Sequence, residues 1–362
     1  MSATKRELNL QSDRIEMVLA THKSPARVTG GTVTPRAVQF HLAPAAGTRI
    51  NKVQSLADEL ALALGVSSVR WSRQGNQLHL EIPRDDPRPV RLLSLMSGLD
   101  KPLPAGVAVL GLCDDGAPLL IRLPSPDVAH ILISGTTGSG KTALCQTMIL
   151  SLAMTHRRSQ LQFVLIDPKQ RAFAPFATLP HLLQPVVGDP AKAASALEAV
   201  VRIMESRGSE CPAPRIVVVM DELADLMQTS GASFAHSLTR LAQRGREAGI
   251  HIVACTQKPS SQVLGPLVRA NFPARLAGRV VSAEDARVAT GIGGTGAERL
   301  AGHGDFIAVA AGQVLRFHAA YVSPGEMKQV VNRLTSVRNV GAWNVTPPSR
   351  PSILEQVSAI LP

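Results

Sequence analysis

Aromatic residues are scarce in this chain: eight Phe, two Trp and one Tyr among 362 residues. Proteins that grip single-stranded nucleic acid by stacking bases need a platform of such rings. The shortage argues against that mode and directs any nucleic-acid contact to phosphates. Cysteine is scarce too. Cys113, Cys145, Cys211 and Cys255 lie far apart with no Cys-x-x-Cys pair, which suggests neither a zinc site nor a disulfide framework and leaves them as small core residues. No apolar run approaches the ~20 residues a bilayer-spanning helix needs, and the polar opening MSATKRELNLQ lacks the apolar stretch of a secretory signal. These absences predict a soluble, cytoplasmic chain with no intrinsic membrane segment. Acidic residues are outnumbered, 27 against 38 Lys and Arg, for a net charge of +11. Such a balance suits an anionic partner, and an ordinary basic protein shares it, so charge alone decides little.

The composition is otherwise that of a globular chain, 45% apolar and 18% charged, and the length fits two domains. Residues 1–104 read as a small α+β domain. In it, residues 32–42 (TVTPRAVQFHL) form a strand, and Val53, Leu56, Leu60 and Leu64 recur at helical spacing until Gly65 stops the helix. Residues 68–72 and 77–82 are two strands joined by a Gly75-Asn76 turn, so the order is roughly β-α-β-β. Prolines at 83, 87, 89, 102 and 104 interrupt regular structure and place the boundary near residues 102–105. Over residues 105–335, short β-branched runs alternate with helical stretches, the pattern of an α/β domain with a mainly parallel sheet. The runs HILIS (130–134), FVLI (163–166), IVVVM (216–220) and HIVAC (251–255) each end in polar or glycine-containing sequence. Open α/β sheets bind ligands at that end of their strands. Residues 336–362 read as a linker containing Pro347, Pro348 and Pro351, then a short helix in SILEQVSAIL.

The chemistry is concentrated in Gly135-Thr136-Thr137-Gly138-Ser139-Gly140-Lys141-Thr142, a match to G-x-x-x-x-G-K-[ST] between a strand and a helix. The glycines let backbone N–H groups converge on phosphate oxygens, Lys141 reaches the β- and γ-phosphates, and the Thr142 hydroxyl suits Mg²⁺. The implied ligands are ATP and Mg²⁺. Eighty residues after Lys141, the strand IVVVM delivers Asp221 and Glu222. In a phosphate-loop protein Asp221 is the candidate to hold the metal, and Glu222 the candidate to orient and deprotonate the attacking water. After HIVAC come Thr256 and Gln257. Gln257 is a candidate sensor of the γ-phosphate, with an ordinary loop amide as the equal alternative. Residues 238–249 (LTRLAQRGREAG) read as a helix on which Arg240 and Arg244 share a face with Glu247, while Arg246 points away with no partner on its own helix.

The run of motifs GTTGSGKT, LIDPK (165–169), PHLLQPVV (180–187), IVVVMDELADLM (216–227), LAQRGREAGIHIVACTQKPS (241–260), RANFPARLAGRVVSAEDAR (269–287) and GAERLAGHGDF (296–306) resembles the motor of FtsK/SpoIIIE DNA translocases, in order, over residues 107–322. The amino-terminal unit is similar to the small α domain that precedes that motor. The resemblance implies a RecA-like P-loop NTPase core, assembled as a homo-hexamer around double-stranded DNA and hydrolysing ATP between adjacent subunits. It assigns the trans-acting arginine finger to Arg246, with Arg275 as a second candidate, and DNA-phosphate contacts in the pore to Lys258 and Arg269. Three departures stand out. Ala283 occupies a position where the family usually carries a pore charge, the stretch between Met204 and Arg215 is short, and no part of the chain reads as the family's membrane-spanning segment or its winged-helix module. A conjugative or protein-secreting relative of the motor, or a nucleotide switch without motor activity, are the alternatives the same motifs allow.

Overall fold

A computed structural model describes residues 5–74, 77–84, 86–99, 103–207, 213–257, 270–336 and 359–361. The chain divides into two compact units, one comprising residues up to Pro89 with Asp114–Gly116, the other the remainder. The division falls at Pro89 and not near residue 104, because Val90, Leu92 and Met96 are buried in the core of the larger unit.

The small unit contains α1 (Lys5–Thr21), β1 (Ala26–Val33), β2 (Ala37–Pro44), α2 (Ile50–Gln54), α3 (Ala57–Leu64), β3 (Arg70–Gln74) and β4 (Gln77–Pro83), with an antiparallel sheet ordered β1-β2-β4-β3. Two features depart from the expected β-α-β-β order. A helix precedes the sheet, carried by a sequence in which only Ile15 and Leu19, one turn apart, are buried. The expected strand over 32–42 is two strands, because the chain turns at Pro35 and closes the turn with Thr34, whose N–H and hydroxyl both meet the Ala37 carbonyl. The helical spacing of Val53, Leu56, Leu60 and Leu64 holds, divided between α2 and α3, and Gly65 ends α3 in the left-handed region at φ 71°. Gly75 and Asn76 lie outside the described residues.

The larger unit runs α4 (Leu92–Ser97), β5 (Val107–Cys113), β6 (Pro118–Arg122), β7 (Ile131–Ser134), α5 (Lys141–Thr155), β8 (Leu161–Ile166), α6 (Pro190–Ser206), β9 (Arg215–Met220), α7 (Leu223–Thr229), α8 (Gly231–Arg244), β10 (Ile250–Thr256), β11 (Ala274–Ala277), α9 (Ala283–Thr290), β12 (Asp305–Ala310), β13 (Gln313–Ala319) and α10 (Pro324–Ser336). A last strand, β14 (Ala359–Leu361), runs parallel to β6. Those three residues were expected at the end of a helix; the rest of that stretch, 351–358, lies outside the described residues. The sheet order is β14-β6-β5-β13-β12-β11-β7-β10-β9-β8. From β11 to β8 every pairing is parallel, and from β12 to β6 every pairing is antiparallel.

The parallel half explains the apolar runs. Both faces are covered, so every position of a strand must be apolar. Val217 and Val219 pack into the core beneath α5, while Ile216, Val218 and Met220 of the same strand pack beneath α6, α7 and α8; β8 and β10 divide their side chains in the same way. Each fully buried Val or Ile contributes about 1.5–3 kcal/mol relative to exposure. The helix after the phosphate loop is apolar on nearly every side, and its buried hydroxyls are satisfied: Thr147 donates to the Ala320 carbonyl at 2.6 Å and Ser151 accepts from the Val109 N–H at 3.1 Å. Cys113, Cys145 and Cys255 are buried core residues, with the Cys145 and Cys255 sulfurs 2.9 Å apart. Cys211 lies outside the described residues.

Candidate phosphate-binding site

The carboxyl ends of the parallel strands carry the site. After β7 the chain must turn sharply into α5, and three glycines take the left-handed region to do so: Gly135 at φ 149°, Gly138 at 80° and Gly140 at 102°. A side chain at Gly140 would put its Cβ 2.9 Å from the Gly304 nitrogen, so this position needs glycine for space as well as for conformation. The loop is braced from two other strand ends. Thr136 donates both its N–H and its hydroxyl to the Arg279 carbonyl, at 2.7 and 3.1 Å, after β11. The Gly138 and Ser139 carbonyls accept from the His303 and Gly304 N–H groups, at 3.0 and 2.9 Å, before β12. An open cleft of about 420 Å³ lies between Thr136–Ser139, Arg279 and residues 298–303.

Lys141 opens α5 with its ammonium folded under the loop, 2.8 Å from the Gly135 carbonyl and 3.0 Å from that of Thr136. Burial lowers its pKa, and the Cys255 thiol and the Glu222 and Asp221 carboxyls act in the opposite direction. Thr142 follows it in the first turn. The Thr137 hydroxyl donates to Gln257 Oε1 at 3.0 Å, so Gln257, which follows β10, touches the phosphate loop directly.

Two strands away, β9 ends at Asp221 and Glu222. Glu222 adopts φ 53° and ψ 56°, a left-handed conformation that costs a non-glycine residue about 1–2 kcal/mol. This breaks the strand and starts α7. Its Oε2 accepts from the Lys169 ammonium at 3.2 Å, while Oε1 is buried without a hydrogen-bond partner. Asp221 N–H donates to the Ile166 carbonyl, which sets Asp221 beside Asp167 at the end of β8. Asp167 is fully buried and accepts from the Lys169 N–H at 3.2 Å and the Phe173 N–H at 3.1 Å. Burial, then the charges of Glu222 and Asp167, push the Asp221 carboxyl up to about 6. A carboxylate raised by its neighbours, an orphaned Glu222 oxygen and a buried Ser139 hydroxyl without a partner form a donor set that fits a hard divalent cation and phosphate oxygens.

Sequence reasoning did not single out Asp167 or Lys169. The signal was present: FVLI-Asp167 repeats the apolar-strand-then-acid pattern of IVVVM-Asp221.

Arg246 lies elsewhere. Helix α8 ends at Arg244, and Arg246 sits in the turn that leads into β10, exposed, at the amino-terminal edge of the sheet. The expected helix through residue 249 is cut short because Gly245 packs against the Ile250 carbonyl as the chain reverses; a Cβ there would lie 2.4 Å from the Leu241 carbonyl oxygen. Arg240 pairs with Glu205, and no Arg244–Glu247 pair occurs among the described residues. Seven residues of β10 separate Arg246 from Gln257, roughly 20 Å at the usual rise per residue. Arg246 therefore cannot serve the phosphate loop of its own chain. Arg275, the second finger candidate, is buried on β11, and its guanidinium donates to the Phe272 and Val288 carbonyls at 3.3 and 3.0 Å. It is a structural residue here. Lys258 and Arg269 lie outside the described residues. Ala283 is exposed at the start of α9. No helix among the described residues is long and apolar enough to cross a membrane.

Comparison with solved structures gives the same architecture. The conjugation coupling protein TcpA of pCW3, a monomer form with ATPγS, superposes with a TM-score of 0.61 at 17% identity, covering 91% of this chain and 100% of that one. The cytoplasmic domain of the type VII secretion ATPase EccC of Thermomonospora curvata gives 0.59 at 26% identity, over 73% of this chain and 36% of that one. The core is thus of the P-loop NTPase type. Among curated proteins, the DNA translocase FtsK of Sporosarcina ureae is 33% identical over 357 residues, 90% of this chain and 46% of its own length. That of Lactiplantibacillus plantarum is 34% identical over 363 residues, 91% and 45% respectively. The chain spans about half the length of these relatives. The model of the FtsK/SpoIIIE family matches residues 109–211 and 203–261, over the phosphate loop and the β9 acids, and that of the FtsK alpha domain matches residues 1–84. With the order of motifs, the site geometry and the sequence relatives in agreement, the chain belongs to the FtsK/SpoIIIE family.

Proposed function

We propose that this chain is the motor portion of an ATP-driven, double-stranded DNA translocase that works in the cytoplasm as a homo-hexameric ring, with ATP hydrolysed between adjacent copies. One observation carries the reading: the phosphate loop and the Asp167, Asp221 and Glu222 carboxyls converge at one edge of the sheet, while the exposed arginine the family motif marks as the finger stands at the opposite edge. A ring in which the edge of one copy meets its neighbour completes the site.

In that arrangement the backbone N–H groups of Gly135 to Gly140 and the Lys141 ammonium hold the phosphates of ATP, Lys141 moving from its own loop carbonyls to the phosphate oxygens. Thr142 and Asp221 would hold Mg²⁺, which supplies charge neutralisation between the phosphates. Glu222 orients a water and takes its proton; its buried, unpartnered Oε1 is the acceptor. Arg246 of the neighbouring copy meets the charge that develops at the γ-phosphate. Gln257, bonded to Thr137 of the loop, senses the loss of the γ-phosphate and passes the change to the segment after β10, where Lys258 and Arg269 grip successive DNA phosphates. Such grip depends on salt and is indifferent to base sequence. Supporting this cargo are the net positive charge, the shortage of aromatics and the sequence relatives named DNA translocase.

The assignment of the base is tested by Glu222→Gln. It should bind ATP as the wild type does and hydrolyse it about 10²–10⁴-fold more slowly, measured by nucleotide titration and phosphate release. Wild-type turnover would remove Glu222 from the mechanism.

A further inference from the structure

Arg246 stands in a turn and not on a helix, so the direction in which its side chain leaves the protein depends on how that turn is held. Its own backbone closes most of it. The Gly245 N–H donates to the Leu241 carbonyl and the Ile250 N–H to the Gly245 carbonyl, both at 2.8 Å, and the Gly249 N–H donates to the Arg246 carbonyl at 3.0 Å. The Gly249 carbonyl accepts from the Ile216 N–H of β9 at 2.9 Å. The Ala248 carbonyl takes its donor from far along the chain. Arg207, the residue after α6, donates from one terminal nitrogen to the Ala248 carbonyl at 2.6 Å and from the other to the Pro214 carbonyl at 2.7 Å.

One guanidinium therefore ties the turn before β10 to the residue before β9, at the edge of the sheet away from the phosphate loop. An arginine suits the task because its donors form a rigid planar fork, which holds two carbonyls at one separation. The anchor is rigid as well. Helix α6 packs on α8, with Leu197, Val200, Val201 and Met204 in the same buried cluster as Leu238, Leu241 and Ala242. Two residues before Arg207, Glu205 pairs with Arg240 of α8. The carboxyl end of α6 thus holds both the helix that leads into the turn and the turn itself.

We propose that Arg207 is a positioning residue for the finger: by holding the Ala248 carbonyl it fixes the turn from which Arg246 reaches the phosphates bound by the neighbouring copy. Its loss is felt in the neighbour's site and not in its own. The inference rests on the reading of Arg246 as a finger that acts between copies.

Arg207→Ala alone should lower kcat about 10- to 100-fold, the effect of a small misplacement of a reacting group, with affinity for ATP within about twofold of wild type. Which site is damaged is read from two fusions, each of two full chains joined end to end so that the copies alternate around the ring. In the first, Arg207→Ala and Glu222→Gln sit in separate copies, and the copy with an intact base meets an intact finger turn. In the second, both changes sit in one copy, and the intact base meets the loosened turn. The first should hydrolyse ATP about 10- to 100-fold faster than the second. Equal rates, or a faster second fusion, would place the damage in Arg207's own site or in its fold and overturn the proposal. A wild-type kcat in Arg207→Ala, or a loss confined to ATP affinity, overturns it too. Arg207→Lys keeps the stem and the charge without the planar fork; it should give the same order in the two fusions, and it decides the matter if Arg207→Ala does not fold. Failure of the underlying reading looks different: the same two fusions made with Arg246→Ala in place of Arg207→Ala would then show no advantage for the separated changes.

Discussion

At the carboxyl ends of β7, β8 and β9 lie three carboxyls and two ammonium groups, Glu222 is held in a left-handed conformation, and buried oxygens on Ser139 and Glu222 lack partners. At the amino ends of β7 and β10 in the same sheet stand two buried, neutral imidazoles, each held through Nδ1. His130 Nδ1 accepts from the Ile252 N–H and His251 Nδ1 donates to the Ala129 carbonyl, both at 3.0 Å. Burial holds His130 at about 4 and His251 at about 3, with the charge of nearby Arg246 acting in the same direction. Strands that are equally apolar along their length thus end in opposite ways. One edge accumulates strain and unspent hydrogen-bonding capacity, which a polyphosphate and a cation can use; the other buries neutral imidazoles and leaves Arg246 in solvent.

The sharpest way to break this contrast is at that arginine. Arg246→Ala should reduce hydrolysis by about 10³-fold or more, the usual effect of an arginine finger, with ATP affinity retained and the fold intact. In assemblies doped with the variant, activity should fall faster than the variant's share. A fall in strict proportion would mean that each copy is self-sufficient and that the amino edge takes no part in chemistry.

A smaller effect sharpens the comparison through stability. The folded pKa of Asp221, about 6, lies above its ordinary value of 3.8. The folded chain therefore holds the extra proton between about pH 4 and 6, and the contribution of this group to stability falls as pH rises through that window. Asp221→Asn should accordingly raise the metal-free stability at pH 7.5, by at most about 3 kcal/mol, with the gain vanishing near pH 4. Thermal unfolding across pH checks it, and a destabilised variant at pH 7.5 would show that the carboxylate contributes to the fold and not to a site that strains it.

An effect of the opposite sign comes from the amino edge. His130 and His251 have folded pKa values below the ordinary 6.5, so the unfolded chain binds their protons first and stability is lost as pH falls from about 6.5 toward 4. Each imidazole contributes up to about 1.4 kcal/mol per pH unit. His251→Gln, which loses the titrating group, should flatten the acid limb of the unfolding curve. An unchanged slope would contradict the burial of His251 as a neutral ring.

The parts of this molecule that sequence reasoning reached are those where chemistry or two-sided burial leaves little choice. The phosphate loop is legible because each glycine, the lysine and the threonine have a fixed task, and β8, β9 and β10 because both faces of a covered sheet must be apolar. The parts it missed depend on tertiary context. Helix α1 hides because two buried residues are too few to make a stripe. The hairpin at Pro35 hides because β1, ARVTGGTV, is largely exposed and carries no apolar alternation to mark it as a strand of its own. The end of α8 at Arg244 follows from the close approach of Gly245 to Ile250, which no periodicity announces. Arg275 was a finger candidate by motif alone, and only the fold shows its guanidinium enclosed by backbone carbonyls. Lys169 needs the strand order before its proximity to Glu222 can be seen.

The reading as a whole stands or falls on the rate of ATP hydrolysis by the full chain with and without linear duplex DNA, measured over a series of salt concentrations. The account predicts strong stimulation by duplex at low salt that declines steeply as salt rises, since the grip is on phosphates. Hydrolysis that ignores DNA at every salt concentration would contradict it and would turn attention to a polypeptide cargo.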